Sequence, residues 1–223
     1  MIERLLHLME KYPLNGVSHL CSILPIFIGT LNYKYLTKGL RLLLILFGAY
    51  FISDSYSLWL SICHRSTFAV QNIQPLWEVI LIATLYLNYF QSTLLKKTVL
   101  YGTAIIVGVI ILTFRTDSIS PVSSTVQKLF VTALALMYLN EIMDEIRIKN
   151  ILIYSMFWMS AGVLIYSAGT FFFSLFGTYL YADITSDNVF DAFWNLSQLL
   201  YILFVLLATV GLWFSKYDRT NLI

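Results

Sequence analysis

Seven apolar runs, each about long enough to cross a lipid bilayer, follow one another along this chain with short polar breaks between them. A hydrocarbon core of about 30 Å takes ~20 apolar residues per helix. The runs fall near 15–33, 41–62, 73–90, 98–114, 122–143, 151–178 and 189–214. Without water, every backbone N–H and C=O must be paired within its own segment or in a closed barrel, and these runs are twice a barrel strand's length. The fold class is therefore all-α, a bundle of seven transmembrane helices. Composition agrees: 59% of the 223 residues are hydrophobic and 12% charged, against roughly 45–50% and about 25% in an average soluble domain. A water-soluble globule of this length hides only about 70–75% of its surface, so the bilayer must cover the remainder. Disordered, fibrous and nucleic-acid-binding classes are excluded by the absence of low-complexity tracts and basic blocks. No partner other than membrane lipids is implied at this level, and a homo-oligomer is left open.

The breaks divide the chain into residues 1–14, the helical domain 15–214 and a tail 215–223. In the first segment Ile2, Leu5, Leu6 and Met9 recur at helical spacing, which fits a short amphipathic helix in the headgroup layer and equally a frayed terminus. Lysine and arginine counts set the orientation. Nine lie on one side (Lys34, Lys38, Arg41, Lys96, Lys97, Arg147, Lys149, Lys216, Arg219) and four on the other (Arg4, Lys11, Arg65, Arg115). The richer side is expected in the cytoplasm, with the N-terminus outside and the C-terminus inside. Trp59, Trp77, Trp194, Trp213, Tyr12 and Tyr217 are expected near span ends, where amphipathic rings are favoured.

A charge at mid-bilayer costs about 2.5–3.5 kcal/mol on insertion scales, so each one retained in a span asks for a reason. At ~1.5 Å per residue from the assumed outer ends, His19 lies ~6 Å deep, Glu78 and Lys128 ~8 Å, Asn195 and Gln198 ~9–14 Å and Asp54 ~12 Å. All six belong to the outer half, and helical spacing adds polar neighbours on the same faces: Ser22, Tyr50, Ser53, Ser57, Ser61, Gln74, Ser124, Thr132 and Asp191. These stripes are expected to meet in a polar cavity open to the outside, with Lys128 as counter-ion to both Asp54 and Glu78. Two carboxyls beside one ammonium favour a cationic or hydrogen-bonding ligand, or a proton, over an anion. Tight helix packing by the same network is the competing account. Span 4, with Thr103 as almost its only interior polar group, is expected to face lipid or a second copy. Span 6, rich in small residues, is expected to be central.

Catalytic signatures are scarce. His7, His19 and His64 do not supply the three-histidine zinc set of seven-helix hydrolases, no metal site is expected, and span 7 has no lysine to bind retinal. Cys21 and Cys63 form no CxxC pair, Gln74-Pro75 is not the repeated Pro-Gln of a PQ-loop transporter, and no nucleophile elbow, dinucleotide turn or phosphate loop occurs. No catalytic residue or cofactor is assigned, and a hydrolase using Asp54 and Glu78 is a minor alternative.

The stretch from Phe157 to Thr170, Phe157-Trp158-Met159-Ser160-Ala161-Gly162-Val163-Leu164-Ile165-Tyr166-Ser167-Ala168-Gly169-Thr170, resembles the FWxxxGxLIYxxG pattern of seven-helix membrane modules in Bacteroidota-type bacteria. Some of those stand alone and others are fused to sensor histidine kinases. The layout of Pro25 to Phe90 is similar too, with a proline in span 1 and an acid in spans 2 and 3. The resemblance implies a sensory or signal-relay role in a bacterial inner membrane. It supplies no catalytic residues. Tyr166 completes the candidate ligand-binding set. Because the chain ends at Ile223, nine residues past the last run, output is expected to pass to a separate cytoplasmic partner.

Overall fold

The computed structural model describes residues 12–144, 149–180 and 187–218. The expected N-terminal interfacial helix and most of the acidic loop before the last span lie outside these residues. Among the described residues there is no strand, and seven helices are long and apolar enough to cross a membrane. Span 1 is built from α1 (Pro13–Cys21) and α2 (Ile23–Leu31); spans 2 to 5 are α3 (Lys38–Ile62), α4 (Phe68–Leu87), α5 (Thr93–Leu112) and α6 (Pro121–Asp144). A 3₁₀ turn, Ile151–Ile153, precedes span 6, α7 (Ser155–Leu175); the short α8 (Gly177–Leu180) follows it, and span 7 is α9 (Asp187–Phe214).

Proline explains where two of these spans depart from expectation. Pro25 has no N–H for the carbonyl of Cys21, and span 1 breaks at Ser22 between its two helices. Pro75 lies inside span 3 rather than at its start, so that helix begins at Phe68, five residues earlier than expected. Neighbouring helices and polar side chains make such an interruption tolerable in a membrane. Glu78 is consequently ~15 Å from its helix end instead of ~8 Å.

Other boundaries follow local chemistry. The Thr37 and Ser92 hydroxyls accept the N–H groups of Leu40 and Leu95, capping spans 2 and 4. Span 2 ends with His64 at φ 57° and the N–H of Arg65 returning to the carbonyl of Leu60, a left-handed helix stop. Span 6 takes its cap from a distant residue: Asp218 Oδ1 accepts the N–H of Ser155 at 3.0 Å.

Spans 1, 2, 3, 5, 6 and 7 close into a ring, with the largest packing surfaces between spans 6 and 7 and between 5 and 6. Span 4 stands outside, against spans 3 and 5, with only Val99 and Ile110 buried. Its peripheral place and the central place of span 6 match the distribution of their polar and small residues. An odd number of crossings leaves the Pro13 and Phe214 ends on opposite faces. The first face carries Pro13, Ile62, Phe68, Leu112, Pro121, Leu175 and Asp187; the second carries Leu31, Lys38, Leu87, Thr93, Asp144, Ser155 and Phe214.

The middle of the ring is filled by side chains with almost no exposure, among them Phe47, Ile82, Val131, Met159, Val163 and Phe204. Trp59 and Trp213 are exposed near span ends, the latter beneath the Lys216 ammonium. Trp77 does not sit at a boundary. It lies inside span 3, its ring 5.0 Å from that of Tyr50, because the helix starts before Pro75.

Candidate functional site

On the first-face side of this apolar layer, six spans contribute to one polar and aromatic cluster. Its centre is Glu78, which is 2% exposed. Glu78 Oε1 accepts the Lys128 ammonium at 3.1 Å and the Gln127 side-chain amide at 2.7 Å. Lys128 also stands 4.2 Å from the centre of the Tyr166 ring, so its charge is met by a carboxylate and by an aromatic face. Both partners of the pair lie in the apolar interior, where an ion pair holds only with further hydrogen bonds and close geometry. Gln127 supplies one of those bonds.

From Tyr166 the cluster continues as packed rings. Tyr166 stacks on Phe204 and meets Tyr201 edge-on at 5.6 Å, and Tyr201 meets Tyr50 at the same separation. The Tyr201 hydroxyl hydrogen-bonds Ser22 at the span 1 break (2.9 Å). One turn away Ser18 donates to Gln198 Oε1 (2.6 Å), tying span 1 to span 7 twice. Thr132 hydrogen-bonds Ser167, linking spans 5 and 6 (2.9 Å). The Tyr50 hydroxyl is turned toward Glu78 within electrostatic range but outside hydrogen-bond geometry.

Of the residues singled out in the sequence, Glu78, Lys128 and Tyr166 touch directly, and Gln198 joins through Ser18. His19 stands beside them, stacked 4.6 Å from Phe51, with Nε2 3.3 Å from the Ser55 hydroxyl and Nδ1 buried without a partner. Asn195 and Ser57 are half-buried and make no side-chain hydrogen bond among the described residues.

One expected contact is not made. Lys128 is not the counter-ion of Asp54; the Glu78–Lys128 pair is the one salt bridge among the described residues. The ammonium is held between Glu78 and the Tyr166 ring, while Asp54, on span 2, lies within electrostatic range of the Tyr166 and Tyr201 hydroxyls. The cluster is also tightly closed at its centre, with Gln127 fully buried. Two cavities among the described residues lie elsewhere. One, of about 230 Å³, is a mostly apolar crevice between spans 6 and 7 bounded by Gly169, Phe173, Phe193 and Leu200; the other adjoins Arg115 at the span 4–5 loop.

Gln127, Ser18 and Tyr201 are cluster members that sequence reasoning passed over. Gln127 precedes Lys128 and so falls off the Ser124–Lys128–Thr132 stripe, yet its longer side chain still reaches Glu78. Tyr201, three residues beyond Gln198, was recoverable from helical spacing.

A second polar group holds the other face. Glu141 Oε1 accepts the N–H groups of Gln91 and Ser92, both at 3.0 Å, so this acid fastens the loop between spans 3 and 4. Tyr138 and Tyr154 share a hydrogen bond of 3.0 Å, Tyr89 bonds the Thr37 hydroxyl, and Asp218 caps span 6 beside them. Burial pushes the Asp218 carboxyl up to about 6, partly offset by its hydrogen bond from the Ser155 N–H. A carboxyl that binds its proton more tightly folded than unfolded stabilises the fold below its unfolded value of 3.8, and that stabilisation is lost as pH rises through about 6. Thermal melts in detergent should therefore show stability falling between about pH 4 and 6, and Asp218→Asn should flatten that part of the profile. An unchanged slope in the variant would mean that other groups set it.

Among the described residues no three histidine, cysteine or acidic side chains are grouped to hold a metal ion. Comparison of the chain with protein-family models, with curated proteins and with solved structures finds no match.

Proposed function

We propose that this multi-pass membrane protein is a receptor-like or accessory module of a bacterial inner membrane, with its first face outside and its second face in the cytoplasm. In this reading the Glu78–Gln127–Lys128 cluster and its surroundings sense a small ligand, a lipid or protons, and the response passes to a separate cytoplasmic partner. The resemblance of the span 6 segment to modules fused to sensor kinases points the same way. The observation that carries the reading is a buried ion pair drawn from spans 3 and 5, with an unpaired carboxyl, Asp54, in the same half of the bundle. Such an arrangement has charge states of different energy, the requirement for a switch.

The alternatives have less support. A transporter or channel needs a polar path from face to face, whereas Phe47, Phe204, Val163 and Ile82 fill the layer below the cluster. A carboxylate-dependent lipid hydrolase needs an acid and a base free to act, and Glu78 is engaged by two donors.

The test is whether the cluster moves the second face. Spin labels at Lys38→Cys and Asp144→Cys, in a background lacking Cys21 and Cys63, report the spacing of spans 2 and 5 in lipid nanodiscs. Neutralising the pair with Glu78→Gln and Lys128→Met together should change that spacing, and an unchanged distance would remove the relay. With native cysteines in spheroplasts, the exposed Cys63 should react with an impermeant maleimide from outside; reaction only after lysis would invert the orientation.

A further inference from the structure

We propose that Asp54 is a proton-binding site whose occupancy changes the electrostatic load on the Glu78–Lys128 pair. The inference rests on the sensing role above and names the proton as what is sensed.

Asp54 lies ~12 Å from the Ile62 end of span 2, half-buried, with neither an ion pair nor a side-chain hydrogen bond among the described residues. A bare carboxylate in hydrocarbon is costly, and a proton removes the charge without needing a cavity. Access is present on the same helix. Ser57 and Ser61, three and seven residues on, share Asp54's face, are half-buried and make no side-chain hydrogen bond among the described residues. Helical spacing places their hydroxyls between the carboxyl and the first face.

The groups around Asp54 define what a proton would do. Span 1 presents His19, already set against Ser55 and Phe51. Glu78 of span 3 and Lys128 of span 5 are paired with each other and make no ion pair or hydrogen bond with Asp54; the Tyr166 hydroxyl lies within electrostatic range of both carboxyls. Spans 6 and 7 present Tyr166 and Tyr201, and span 2 itself Tyr50. With Asp54 protonated, the two carboxyls and one ammonium sum to zero; once the proton leaves to water at the first face, they sum to minus one. Tyr166 couples the two sites, its ring against the ammonium and its hydroxyl within electrostatic range of both carboxyls.

Infrared difference spectroscopy across a pH titration, on full-length protein in nanodiscs, tests this. The background carries Asp218→Asn, because Asp218 titrates as well. A carboxylic acid C=O band should grow as pH falls, be lost in Asp54→Asn and persist in Glu78→Gln. Should Asp54→Asn fail to fold, Asp54→Glu must keep the band with a displaced frequency and midpoint. No titrating band, a band unaltered by the Asp54 variants, or one lost in Glu78→Gln alone overturns the proposal. The spin labels separate the two readings. A band that depends on Asp54, with a pH-independent second face, leaves the proton site standing and removes the relay. A second face moved by Glu78→Gln with Lys128→Met, in protein without the band, leaves the relay and removes the proton.

Discussion

Replacing Lys128 with Met should lower folding yield and thermal stability in detergent more than any other single charge removal in the bundle. The substitution keeps most of the side-chain volume but leaves the Glu78 carboxyl without its counter-ion in an apolar interior, with Gln127 as its remaining hydrogen-bond donor. Breaking one partner of a buried pair costs about 3–5 kcal/mol in soluble proteins. The lower end of that range is expected here, because a chain unfolded in detergent also finds polar partners. Loss of the ammonium's contact with Tyr166 adds to it. The charge argument makes a sharper demand: adding Glu78→Gln to Lys128→Met should restore much of the loss, since the orphaned charge disappears with its partner. A double-mutant cycle on detergent unfolding midpoints measures this. Unchanged stability in Lys128→Met would show that the pair does not hold spans 3 and 5. Restored stability with an unmoved second face would make the cluster a packing device alone.

The architecture was legible from the chain because its signal is long-range and additive. Twenty apolar residues in succession outweigh local ambiguity, and a span poor in polar groups, such as span 4, can be placed at the periphery without knowing its neighbours. The site was only partly legible. Helical periodicity states which side chains share a face, but not how far one helix is rotated or shifted against the next. Glu78 and Lys128 met as expected, while Asp54, equally polar and at similar depth, did not reach the ammonium. Proline introduced the largest positional error. Pro75 reads as the edge of a span when considered alone, whereas the surrounding bundle tolerates it in the interior, carrying Trp77 and Glu78 deeper.

The second-face network was hidden for another reason. Tyrosines near span ends read as interfacial anchors, and nothing in the sequence distinguishes those from Tyr138 and Tyr154, which bond each other inside the bundle. Asp218 gave no signal because its partner, the N–H of Ser155, is a backbone group 63 residues away in the chain. Asn72 was likewise passed over, being outside the expected span 3. Its amide donates to the carbonyls of Arg115 and Ser118 and its oxygen accepts the N–H of Ser120, so it shapes the first-face loop between spans 4 and 5.

Gly211→Ala should destabilise the protein strongly for the addition of one methyl group. In membranes, small residues let helix backbones approach where no hydrophobic force draws them together, and at Gly211 the seam between spans 6 and 7 brings backbone against backbone. A Cβ on Gly211 would stand 2.8 Å from the carbonyl oxygen of Ser155, a backbone atom that cannot turn aside as a side chain does. Relief requires the two helices to part at the second face, where Asp218 of the span 7 extension caps Ser155. Overpacking of this kind costs about 1–3 kcal/mol, and strain on the cap adds to it. Gly48 provides the contrast, since a Cβ there meets nothing within 4 Å. Gly48→Ala should be neutral or stabilising by up to ~1 kcal/mol through helix propensity alone. Unfolding midpoints of the two variants, measured side by side in detergent, should separate, with Gly211→Ala well below the parent and Gly48→Ala at or above it. If Gly211→Ala tracks Gly48→Ala, spans 6 and 7 do not make the backbone approach on which the Asp218 cap and its pH dependence rest.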